Sequence, residues 1–238
     1  QLGGGQAAER PKDPIADEGQ QLEGDRMVGC LLGIPQHTAQ QRKHQDAGKN
    51  GAHRRDGAFQ PGGGQQAEAT EELTFAQQAY EMDSLRLALD GTPANPGLVK
   101  IADRYSSTEA GNVAKYLAGA AYYRLGQYEQ AISYLEKYVG KDEVTPAEAL
   151  GMIGDCYAQL DRPEEALKYY EKAAAKRDNS FTAPFYLMKA GNTAIYLKKY
   201  SVAEKHFRAI KDNYPESAQA ASVDKYIEFA AGAAKNFK

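Results

Sequence analysis

From Glu71 onward, apolar residues recur at three- and four-residue intervals, the period of a helix with one buried stripe. Alanine, leucine, lysine, glutamate and tyrosine dominate there, and glycine and proline gather at boundaries. The pattern predicts helices over 71–80, 83–89 and 97–105, with a stop at Gly91-Thr92-Pro93. After Ser106-Ser107-Thr108 it predicts helix pairs over about 112–140, 147–176 and 184–213, joined by loops 141–145 and 177–183. A last helix is expected over 217–234. Before residue 68 neither a helical nor a strand period is sustained.

The three helix pairs superimpose on one another without internal gaps. Gly119, Gly154 and Gly191 match, at spacings of 35 and 37 residues. A glycine inside a helix costs about 1 kcal/mol relative to alanine, so its recurrence predicts a close approach by a neighbouring helix. Three residues on, Tyr122 and Tyr157 match, and Ala194 departs from them. Leu125, Leu160 and Leu197 close each first helix; Tyr128, Pro163 and Tyr200 open each second one. Ala131, Ala166 and Ala203 form another small slot, followed one turn later by Leu135, Tyr170 and Phe207. Small slots facing bulky residues are what closely packed antiparallel helices require. A shorter leading unit over 71–106 fits the same template through Ala76, Met82, Leu85 and Ala88. The segment 217–234 reads as a cap, with Ala218, Ala221, Tyr226, Ile227 and Phe229 covering the last repeat.

Composition changes near residue 67. All sixteen tyrosines lie at Tyr80 or beyond, whereas His37, His44 and His53 and the tracts Gly3-Gly4-Gly5 and Gly62-Gly63-Gly64 lie before it. Apolar residues in 1–67 are too sparse to offset ordering, about 1–2 kcal/mol per residue for the backbone. The expectation is a disordered segment 1–67, either an ordinary flexible tail or a stretch foreign to the native protein, followed by a domain over 68–238.

A helix–turn–helix unit repeating at about 34 residues resembles the tetratricopeptide repeat (TPR). The resemblance covers about Glu71–Lys238 and rests on the threefold register. The usual tryptophan of the first helix is absent from all copies, and the third lacks the tyrosine. It implies an all-α, right-handed solenoid of antiparallel helix hairpins. The wording FAQQAYEMDSLRLALDG, YLAGAAYYRLGQYEQAISYLEKY and FYLMKAGN is similar to small envelope-associated TPR proteins of Bacteroidetes-type bacteria. That similarity implies an envelope location facing the periplasm, although the membrane helix such proteins carry ahead of their repeats is not found in this sequence.

Charge and chemistry narrow the function. A net charge of -3 argues against nucleic-acid or membrane-surface binding. The longest apolar run, Met27 to Pro35, is about half of what spans a bilayer. Cys30 and Cys156 cannot form a disulfide framework. Cys156, mid-helix and without a histidine nearby, reads as a small core residue, and His206 reads as structural. Asp142-Glu143 reads as an exposed loop pair, and Glu164-Glu165 as acids at a helix start. No catalytic residue, metal site or cofactor is expected.

What remains is recognition by the first helices, which line the inner face of such a stack. The residues expected there are Tyr116, Tyr123 and Arg124 from the first full repeat, Asp155 and Gln159 from the second, and Met188, Asn192 and Tyr196 from the third. Gly151 and Phe185 belong to the same face. Aromatic area beside polar groups suits a protein or peptide partner. The expected function is a non-catalytic protein-interaction scaffold. The alternatives are a homo-oligomerisation module and, behind it, a small-ligand receptor or enzyme.

Overall fold

The computed structural model describes residues 63–236 and, among them, ten α-helices, one 3-10 turn and no strand. The helices are α1 (Gly63–Glu81), α2 (Leu85–Asp90), α3 (Leu98–Arg104), α4 (Glu109–Arg124) and α5 (Tyr128–Leu135). They continue as α6 (Thr145–Gln159), α7 (Pro163–Lys176), α8 (Thr182–Tyr196), α9 (Tyr200–Asn213) and α10 (Val223–Asn236). The all-α repeat solenoid expected from the sequence is the observed fold. The disorder expected for 1–67 falls, for 1–62, outside the described residues. For 63–67 it is corrected, because α1 starts at Gly63. Tertiary contacts extend that helix backwards. Arg104 of α3 reaches Glu68 at 3.0 Å and Glu72 at 3.2 Å, and Gln66 accepts from the Glu109 backbone N–H at 2.8 Å.

Four hairpins carry the same turn. Asp83, Gly126, Asp161 and Lys198 take positive φ values of 61°, 72°, 55° and 58°. In each copy the next residue's N–H bonds a carbonyl five residues back: Ser84 to Ala79, Gln127 to Tyr122, Arg162 to Tyr157 and Lys199 to Ala194, at 2.8–2.9 Å. This is the glycine-type helix ending with only one glycine in four. The leading unit is therefore a true hairpin whose second arm is broken into α2 and α3. A loop with an isolated Gly91–Pro96 bridge interrupts it, and Gly91, at φ 72°, caps α2. Both pieces pack against α4.

The slots are filled by the residues the repeat alignment pairs with them. A methyl group on Gly119 would come to 2.5 Å from Leu135 Cγ, and one on Gly154 to 2.7 Å from the Tyr170 ring. One on Gly191 would overlap the Phe207 ring, and Phe207 is fully buried. Tyr122 stacks on Tyr134 at 5.6 Å and Tyr157 on Tyr169 at 5.3 Å, centroid to centroid.

The start of each later repeat is set by a side chain in the preceding loop. Asp142 Oδ1 accepts from the backbone N–H of Val144 and Thr145, at 2.9 and 2.7 Å. Asn179 Oδ1 accepts from Phe181 and Thr182 at 3.0 and 2.7 Å. These acceptors satisfy amides that the helix itself leaves free. Asp142 thus has a capping role beyond that of an exposed loop acid. Some burial pushes its pKa up, but the Thr145 hydroxyl and the backbone amides outweigh that and hold it below the usual range.

At the far end α10 packs on α9 through Val223, Ile227, Ala230 and Ala233. Tyr226 lies 5.3 Å from Phe207 and Phe229 lies 6.5 Å from Tyr200, as a cap requires. Ala218 and Ala221 are exposed and cover nothing, because the helix starts later than expected, after the turn Ala220–Ser222. Gly232 holds the register of Gly191, but no described atom comes within 4 Å of where its Cβ would be. Glu228 and Lys235 of α10 are exposed, and Asp224 pairs with Lys211 of α9 at 2.6 Å.

Candidate partner-binding groove

The first helices α1, α4, α6 and α8 lie side by side, and α10 follows against α9. Their inward positions differ from copy to copy, and the structure sorts the expected residues into three groups.

Tyr116 is in the packed interior, 8% exposed, not on the groove surface. Its ring packs 5.1 Å from Tyr138 and its hydroxyl donates to Glu148 Oε2 at 3.2 Å. Burial raises the pKa of both Tyr116 and Glu148, so the phenol stays protonated and keeps donating. Tyr116 supports the groove and does not present a contact.

Arg124 and Asp155 are half-buried and already engaged. Arg124 pairs with Asp83 at 2.7 Å and lies over the Tyr80 ring at 5.8 Å. Asp155 accepts from Lys189 Nζ at 2.7 and 2.9 Å and from the Tyr170 hydroxyl at 2.6 Å. The Lys189 ammonium also sits 5.2 Å from the Phe185 ring and 5.4 Å from the Tyr170 ring. These groups tie successive repeats together, and Arg124 stands on the inner face already paired with Asp83. The sequence carries a signal for the Asp155–Lys189 tie that the inner-face reading passes over: opposite charges about one repeat apart on adjacent helices.

Gln159 and Tyr196 are exposed, Tyr196 at 70%. Tyr123, Met188, Asn192 and Phe185 are half-buried. Tyr123 packs beside Tyr128 at 6.0 Å. Asn192 buries its Oδ1 without a hydrogen-bond partner. Gly151 opens no space to a partner: the Tyr186 ring of the next repeat lies on it so closely that a methyl there would overlap the ring. Burial, with Asp155 and Glu148 nearby, raises the Tyr186 phenol pKa. At the second repeat this inner position is thus filled by the chain's own Tyr186.

Cys156 is fully buried, and burial pushes its thiol up to about 12, which removes thiolate chemistry near neutral pH. Among the described residues no group of three or more His, Cys, Asp or Glu is placed to hold a metal ion. No described helix is long and apolar enough to cross a membrane.

The architecture defines a helical-repeat protein, and comparison says which repeat it is. Residues 116–180 and 186–217 each match a family model of the tetratricopeptide repeat. Two solved structures agree in fold. A Podosopora anserina kinesin light chain with nearly identical TPR-like repeats is 11% identical, covering 72% of this chain and 89% of that one at a TM-score of 0.50. A single-substitution form of the same protein gives 11%, 72%, 88% and 0.50. MamA protein is 15% identical, covering 70% of this chain and 92% of its own, at a TM-score of 0.49. No curated protein matches the chain.

Proposed function

We propose that this chain is a non-catalytic scaffold that binds a protein or peptide segment along the inner face of its repeats, with Gln159 and Tyr196 as the leading contacts. Tyr123, Met188 and Asn192 flank them. The observation that carries the reading is Tyr196, a large aromatic side chain 70% exposed on an inner helix. Tyrosine supplies apolar area at small entropic cost, as interaction surfaces favour. Tetratricopeptide repeats commonly serve protein–protein interaction, and no constellation of acid, base and nucleophile competes with that reading among the described residues. The resemblance read in the sequence supports an envelope location in a bacterium.

The test selects displayed peptides on the full chain and measures the recovered peptide against variants. Tyr196→Ala should weaken binding about thirtyfold, as a loss of about 2 kcal/mol at a hot spot predicts. Recovered peptides that bind a Tyr123→Ala/Gln159→Ala/Tyr196→Ala variant as tightly as the parent would overturn the groove. Sedimentation at increasing concentration distinguishes the homo-oligomer alternative, in which the chain self-associates without any peptide.

A further inference from the structure

The outer seam between consecutive repeats uses one position in two chemical versions. Glu136 at the end of the first full repeat accepts from the Tyr169 hydroxyl of the second at 2.7 Å. One repeat on, Glu171 lies 3.0 Å from His206 Nε2 of the third. Tyr169 and His206 are register mates, as are Glu136 and Glu171. The inner partner changes too. Tyr169 stacks on Tyr157, whereas the mate of Tyr157 in the third repeat is Ala194. The second seam therefore lacks the stacked ring pair and closes on an imidazole.

We propose that the His206–Glu171 contact is a protonation-sensitive seam, so that mild acid loosens the C-terminal end of the stack while the Tyr169–Glu136 seam holds. The balance of forces around the ring sets the direction. The His206 side chain is only 12% exposed, so a charge on it loses much of its hydration. Glu171 is 43% exposed, and water screens its attraction. Lys205, on the same helix, opposes a second positive charge. Burial, the largest of these effects, keeps the imidazole pKa below its ordinary value; Glu171 offsets part of that.

The sign follows from linkage. A folded-state pKa below the unfolded one means that the unfolded state binds the proton more readily. The penalty is absent well above the usual histidine range. It grows as pH falls through that range, and levels off below the folded pKa. Tyr169 has no such dependence: burial and Glu136 push its phenol pKa up, so it remains a neutral donor.

Hydrogen exchange on the full chain at pH 7.5 and 5.5, corrected for the intrinsic pH effect, tests this. Protection in α9 and α10 should fall by about threefold or more relative to α4 on acidification. His206→Tyr, which copies the seam one repeat earlier, should remove that difference. The imidazole of the parent, assigned by its loss in His206→Gln, should titrate by NMR below the ordinary histidine value. A titration midpoint at or above that value would overturn the proposal. So would an equal loss of protection in His206→Gln. His206→Tyr removes the same resonance, so either variant supplies the assignment, and the midpoint itself is read on the parent chain.

Discussion

Each first helix has two faces, and they obey different rules. Towards its own second helix, Gly119, Gly154 and Gly191 recur and meet Leu135, Tyr170 and Phe207 in the same way each time. Towards the groove, Tyr116, Gly151 and Met188 occupy one position and share neither size nor polarity. The recurring face holds each hairpin together, and every hairpin must solve the same packing problem. The varying face is released from that problem. Part of it nonetheless has a structural role, since Tyr186 covers Gly151 and Lys189 ties down Asp155. Variation among repeats therefore marks positions released from hairpin packing, and burial decides which of them stay exposed.

The sharpest way to break the comparison is at the recurring face. Phe207→Ala empties the largest fully buried side chain and should cost about 3–5 kcal/mol in equilibrium denaturation. Gly154→Leu attacks the same face from the other side by forcing a side chain into the Tyr170 ring. A loss of about 1–3 kcal/mol is expected by calorimetry. If it were neutral, the slot would not be a close contact.

A smaller effect separates the two capping loops. Asp142→Ala should cost about 1 kcal/mol at neutral pH by removing the acceptor for two helix-start amides. The Asp142 carboxyl is held below its usual pKa, so this contribution is present above the unfolded carboxyl range and is lost as pH falls through the folded value. Asn179 does the same work without a charge, so Asn179→Ala should show no such acid dependence when both are melted from pH 7 to pH 3. The smallest stability effect is expected on the varying face. Tyr196→Ala should stay within about 0.5 kcal/mol of the parent in thermal unfolding while binding drops. A large stability loss there would reassign Tyr196 to packing.

Local chemistry alone determined a good deal of this protein. Leu125, Leu160 and Leu197 cap their helices and Tyr128, Pro163 and Tyr200 start the next ones, as the repeat alignment indicated. Period, glycine slots and threefold register are properties of short stretches, and a repeat fold is built from contacts between neighbours. Legibility ended where a residue's fate depended on the next repeat. From sequence, Tyr116, Arg124 and Asp155 looked as available as Tyr196, because all sit at inward positions. Only the assembled helices put Glu148 against Tyr116, Asp83 against Arg124 and Lys189 against Asp155. They also carried α1 back to Gly63, through partners on α3 and α4 that lie more than thirty residues away. Helical period specifies which side of a helix faces inward, but a side chain there is exposed only if no neighbour in the folded stack reaches it first.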